Sequence, residues 1–179
     1  AHKYKIAVNI SGQSIANTAY HAELFDLLAT NPWARDHVLF EITESARIAD
    51  LADANTFFQT LRQQGYEVCL DDFGAGASSL GALRRLPFGR IKLDRSLAAS
   101  VTSPESTGLV RAAVALGRAL GMEVTAKGVE TEAQLARLRD EGCTGAQGFL
   151  LGRPTPFSAL LPVLGGTVTH PGRRRSRSA

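Results

Sequence analysis

Two kinds of apolar pattern alternate along the chain. Short apolar runs with polar ends predict strands at Lys5–Ile10 (KIAVNI), Val38–Thr43 (VLFEIT), Glu67–Asp71, Arg90–Asp94 (RIKLD), Glu123–Ala126 and Cys143–Leu151, the last interrupted by Gly145 and Gly148. Between them, apolar residues at helical spacing predict helices at Thr18–Ala29, Asp50–Gln64, Ser78–Arg85, Pro104–Leu120, Thr131–Glu141 and Pro156–Leu164. The punctuation agrees. Asn31-Pro32 ends the first helix, because a residue before proline disfavours helical geometry. Gly65, Gly121 and Gly142 follow helix ends, Pro104 opens one, and Thr131 is placed to cap another. Regular strand–helix alternation predicts an α/β fold on a parallel sheet.

Composition adds limits. With 179 residues, 44% hydrophobic and 21% charged, the chain reads as one globular domain. It has no apolar run of transmembrane length and no signal-peptide pattern, which predicts a cytoplasmic location. It opens on Ala1 and runs almost at once into a strand, so we read it as a piece of a longer protein. The net charge of +3 is a property of the end: Arg173, Arg174, Arg175 and Arg177 are four of the 20 Lys+Arg, leaving 16 against 17 Asp+Glu. Residues 165–179 lack apolar periodicity and are expected to form a disordered basic tail after a domain of residues 1–164. The rest is nearly neutral, and no nucleic-acid partner is expected. Cys69 and Cys143 lack metal or redox spacing and read as free thiols; the scattered histidines exclude a zinc motif.

The densest chemistry lies in Val68–Leu80 (VCLDDFGAGASSL), where a strand ends in Asp71 and Asp72. Adjacent carboxylates need a divalent cation, a basic partner or open water around them; a plain polar turn would also use Asp and Gly. The rest of the chain favours a site. Asn9, Glu41, Asp71 with Asp72, Lys92, Lys127 and Gln147 all fall at or near the C-terminal ends of successive strands, which in a parallel barrel form one rim. Gly74 and Gly76 read as the hinge of a mobile loop. Lys92 and Asp94 would otherwise form an exposed strand ion pair, and Arg84, Arg85 and Arg90 a solvated face.

The segments VNISGQS, LFEITES, VCLDDFGAGASSL, LRRLPFGRIKLDRS, LGMEVTAKGVETEAQL and GCTGAQGFLLGRP resemble, in the same order from about Lys5 to Pro156, those of EAL domains, bacterial phosphodiesterases that linearise cyclic di-GMP. The resemblance implies a modified TIM-type (β/α)8 barrel. It also implies Asn9, Glu41 and Asp71 as ligands of magnesium or manganese, Asp72 on a second ion, and Lys92 at the attacking water and phosphate. Glu130 would brace the site and Gln147 would sit beside it. Glu44 with Phe73, Gly74, Gly76, Ser78 and Ser79 would form the loop that couples metal binding to a homodimer. Hard oxygen ligands suit such ions, and two of them about 3.5–4 Å apart can activate water against a phosphodiester.

Three departures change the expectation. The first family strand and helix, with the Glu-Ala-Leu motif, do not occur in this sequence, which predicts an incomplete barrel of six or seven strands with an open seam beside Lys5–Ile10 and a tendency to self-associate. The usual AEGVE reads AKGVE, placing Lys127 where the family has a glutamate. The usual DDFGTGYSS reads DDFGAGASS, so Ala75 and Ala77 lack a hydroxyl and an aromatic ring. Lys127 is predicted to sit at the rim close to Glu41, Asp71 or Asp72. The reading favoured is a degenerate domain that binds cyclic di-GMP or a protein partner with little or no hydrolysis. The alternative is an active phosphodiesterase producing linear pGpG.

Overall fold

A computed structural model describes residues 4–46, 48, 50–76 and 80–160 of the chain. Six strands, β1 (Ile6–Asn9), β2 (Val38–Thr43), β3 (Glu67–Phe73), β4 (Arg90–Leu93), β5 (Glu123–Lys127) and β6 (Gly145–Gln147), pair in parallel in sequence order and curl into an open half-barrel. The helices are α1 (Gly12–Ile15), α2 (Thr18–Thr30), α3 (Ala34–His37), α4 (Leu51–Gln63), α5 (Leu80–Arg85), α6 (Arg95–Ala99), α7 (Pro104–Ala119), α8 (Glu132–Asp140) and α9 (Phe157–Leu160). None of them is long and apolar enough to cross a membrane.

Alternation along the strands separates two environments. Phe40, Ile42, Val68, Leu70, Ile91, Leu93, Val124 and Ala126 are buried, as are Phe57, Phe58 and Leu61 of α4 and Val110 and Val114 of α7. Burying each large apolar side chain contributes about 1.5–3 kcal/mol, so this layer carries the fold. The alternate positions turn inward, and register aligns them: Asn9 lies opposite Glu41, Glu41 opposite Cys69, Lys92 opposite Thr125, and Lys127 opposite Gln147.

Caps set the helix starts. Asp50 accepts from Ala52 and Asp53 N–H at the head of α4, Ser103 from Ser106 ahead of the Pro104 turn, and Thr131 with Gln134 closes a capping box on α8. At the N-terminal end of the sheet, the first residues of β3, β4 and β5 are charged and interlocked: Glu67 accepts from Lys5 (2.5 Å) and Arg90 (2.8 Å), and Arg90 also donates to Glu123 (2.6 Å). This corrects the reading of Arg90 as part of a solvated face. It is partly buried between two carboxylates because register turns it inward; Arg84 and Arg85 are exposed as expected. Both edges of the sheet are open among the described residues, and every residue of β1 is exposed, with Ile6 61% accessible.

Two strands differ from expectation. β3 runs two residues past Asp71 to Phe73, and β6 is only Gly145–Gln147, because the chain turns away at Gly148. The short helices α1, α3 and α6 carry too few residues to show a period. Ser78, Ser79, the tail at residues 165–179 and the end of the last helix beyond residue 160 lie outside the described residues.

Candidate site at the C-terminal mouth of the sheet

Between Leu70 and Phe73, β3 spends three residue steps where β4 spends two, from Ile91 to Leu93. This bulge places Asp72 at φ 57°, a left-handed conformation uncommon for a residue with a side chain. Neighbouring strand residues ordinarily point to opposite faces; here the bulge brings Asp71 and Asp72 to the same cation. Asp71 Oδ1 also accepts the Asp72 N–H at 2.9 Å, which fixes the turn.

That cation is Lys127. From the end of β5 its Nζ reaches across the end of β4 and donates to both oxygens of Asp71 (2.8 Å each) and to Asp72 Oδ1 (2.7 Å). Burial alone would lower the pKa of the Lys127 ammonium, but the hydrogen bonds it donates to Asp71 and Asp72 outweigh burial and hold its pKa above the ordinary lysine value. The lysine stands where the sequence placed it.

A second pair lies beside the first. Glu41, 5% exposed, forms an ion pair with Lys92, whose Nζ also donates to Gln147 Oε1 at 3.3 Å. Lys92 is therefore not the partner of Asp94, which instead caps α6 by accepting from Ser96 N–H at 2.9 Å and is held below the ordinary carboxylate range, first by the side-chain hydrogen bond of Ser96. Cys69 sits on the same inner face, its thiol pushed up to about 12 by burial and then by Glu41. It is neutral and no nucleophile.

Glu44 connects the loop after β3 to the end of β2. Its N–H donates to Asp71 O (2.8 Å) and its Oε2 accepts the Gly74 N–H (2.9 Å). With Ser45, Asp72, Ala75, Gly76 and Asp94 it lines a cleft of about 360 Å³. Phe73 is buried in the core and anchors the end of the bulge. Asn9 is exposed on edge strand β1, opposite Glu41 in register. Glu130 lies exposed beyond β5, outside the interlocked group, its N–H on Gln134 Oε1 (2.8 Å). The bulge, the Lys92–Glu41 pair and the Glu44–Gly74 bond were not foreseen. A positive φ at Asp72 leaves no periodic trace, and parity along β2 and β4 was the one available signal for the pair.

The donor set does not fit a two-metal centre. Glu41, Asp71 and Asp72 are each already joined to an ammonium, three carboxylates against two cations, leaving one net negative charge. Among the described residues no group of three or more His, Cys, Asp and Glu side chains is arranged to hold a metal ion. Divalent cations would meet two ammoniums at contact distance.

The EAL domain profile matches residues 1–154. The chain belongs to the EAL domain family. It is 38% identical over 159 residues to the Pseudomonas aeruginosa bifunctional diguanylate cyclase/cyclic di-GMP phosphodiesterase MucR, covering 88% of this chain and 23% of the relative. To the P. aeruginosa cyclic di-GMP phosphodiesterase RocR it is 36% identical over 163 residues, 90% of this chain and 42% of the relative. The EAL chain thus spans less than half the length of either. Its fold matches the MucR phosphodiesterase in complex with cyclic di-GMP at a TM-score of 0.80, with 38% identity, covering 88% of this chain and 70% of that one. It matches Klebsiella pneumoniae BlrP1 in a manganese and cyclic di-GMP complex at 0.76, with 32% identity, covering 85% and 39%. The EAL match covers all six strands of the open half-barrel.

Proposed function

We propose that this EAL domain acts in cyclic di-GMP signalling by binding the dinucleotide at the C-terminal mouth of its sheet, with little or no hydrolysis. Membership in the family and the cyclic di-GMP complexes of its structural neighbours support the ligand. The observation that carries the second half is the clasp of Lys127 on Asp71 and Asp72. Hydrolysis of a phosphodiester needs an activated water and a counter-charge for the leaving oxygen. Here the carboxylates that would organise either are neutralised by ammoniums. The reading therefore calls on neither magnesium nor manganese. A phosphate entering the mouth meets Lys92 and Lys127 and competes with Glu41, Asp71 and Asp72 for them, so binding is weak and falls with salt.

The proposal places the domain in the cytoplasm, in keeping with its free cysteines. It also includes self-association, supported by the open β1 edge with Ile6 and Val8 exposed. The test is calorimetric titration with cyclic di-GMP, alongside chromatography of products in manganese. Binding without linear pGpG supports the proposal. Linear pGpG at an ordinary enzymatic rate returns the domain to the active phosphodiesterases, and no binding at any salt concentration leaves a protein partner as its ligand.

A further inference from the structure

We propose that Lys127 is the resident cation of this site: it holds the Asp71–Asp72 bulge in the place of a divalent ion, and it excludes divalent ions for as long as it is there. The proposal concerns metal and loop, and stands whether or not the dinucleotide binds.

One ammonium makes three contacts of 2.7–2.8 Å with two carboxylates, the length of charge-assisted hydrogen bonds. Those carboxylates are consecutive in sequence, and the left-handed Asp72 that lets them converge is a conformation the surroundings have to hold. Without a cation, two like charges on one bulge repel, and the turn would relax toward ordinary strand alternation.

The same lysine decides the geometry across the mouth. Lys127 belongs to β5 and its partners to β3, two strand spacings or roughly 10 Å between backbones, a gap that the lysine arm and the aspartate side chains close together. Only a long cationic side chain closes that span without a second body. A carboxylate at position 127 would stop short and add negative charge, and an ion would then have to fill the gap. The loop beyond the bulge is tied to the same point: Glu44 accepts from Gly74 N–H and donates its own N–H to Asp71 O. What fixes Asp71 and Asp72 also fixes the segment from Asp72 to Gly76. In this chain that segment is formed by a covalently attached charge and does not wait on metal concentration.

The experiment is manganese titration of the full 179-residue chain, followed by paramagnetic resonance of the free ion, with hydrogen exchange at Asp72–Gly76 in chelator and in manganese. The wild-type chain should take up no manganese at the mouth, and its exchange at Asp72–Gly76 should be the same in both. Lys127→Met keeps the aliphatic arm and removes the charge. It should exchange faster at Asp72–Gly76 in chelator, recover in manganese, and bind manganese at least about a hundredfold more tightly, because a divalent ion and an ammonium sharing the same oxygens repel strongly. Lys127→Arg should behave as wild type. Manganese uptake by the wild-type chain with added protection at Asp72–Gly76 would overturn the proposal, as would a folded Lys127→Met that binds no more metal than wild type. Should Lys127→Met fail to fold, the wild-type comparison in chelator and manganese still decides.

Discussion

Gly148 offers a sharp test of how the mouth is assembled. A methyl group added at its Cα would lie 2.1 Å from Val129 O, 2.3 Å from Val129 N and 2.7 Å from Val129 C, all backbone atoms that cannot swing aside. Gly148→Ala must therefore push the end of β6 away from the segment after β5. Two hydrogen bonds cross that contact, Val129 N–H to Gln147 O (3.0 Å) and Leu150 N–H to Val129 O (3.1 Å). Overpacking costs about 1–3 kcal/mol and each weakened bond about 0.5–1.5 kcal/mol, so the expected loss is about 2–6 kcal/mol. Gln147 is also carried away from Lys92, whose 3.3 Å bond to it is already long. Urea denaturation followed by circular dichroism gives the loss, and hydrogen exchange at Val129 and Leu150 locates it. Gly108→Ala is the control: nothing lies within 4 Å of the added methyl, in the interior of α7. It should stabilise the domain by about 0.5–1 kcal/mol. A Gly148→Ala protein within about 0.5 kcal/mol of wild type would refute the close contact and the anchoring of Gln147 inferred from it.

Two further outcomes follow from the charge pairs. Lys92→Met strands Glu41, 5% exposed, without its cation, and should cost about 3–5 kcal/mol by denaturation, most of it recovered in Lys92→Met/Glu41→Leu; a single variant as stable as wild type would show the pair to be unimportant. At the opposite end of the sheet, burial would raise the Glu67 carboxyl, but Lys5 and Arg90 outweigh it and hold it below its ordinary value. That stabilisation is present above the unfolded-state value, about pH 4.3, and is lost as pH falls through the lower folded value. Glu67→Gln should therefore cost about 1 kcal/mol at neutral pH, discounted for the water around Lys5, and flatten the acid limb of the stability curve; an unchanged limb would contradict the assignment.

The architecture was legible because its signals are local and repeated. VLFEIT and RIKLD show their strands plainly, and β2 falls on Val38–Thr43 as read. Lys127 was placed by parity along β5 and by the unshifted sequence on either side of it. What escaped has no local signal. The bulge at Asp71–Asp72 depends on a cation arriving from two strands away, and sequence alone ended β3 before it. Arg90 was taken for surface because a lone arginine at the start of a strand looks solvated until its neighbours Glu67 and Glu123 are known. Lys92 was read as a site residue, but its partner Glu41 lies across β3 and left no local trace, unlike Asp94, the nearby alternative.

The sheet order has a consequence for how the chain reaches its native state. Each strand hydrogen-bonds only to strands adjacent to it in sequence. Folding can thus proceed by short closures, one strand–helix unit docking on the last in the order in which synthesis releases them. The site follows a different schedule. Glu41 meets Lys92 when β4 docks, Asp71 and Asp72 are clasped only after β5 arrives, and Gln147 comes with β6, the final strand. An intermediate ending at β4 already has most of the apolar layer, yet carries two uncompensated carboxylates on an unformed bulge. Nascent and partly unfolded forms of this chain therefore acquire a sheet well before they acquire a mouth, and loss of β5 alone abolishes the mouth while β1 to β4 stay paired.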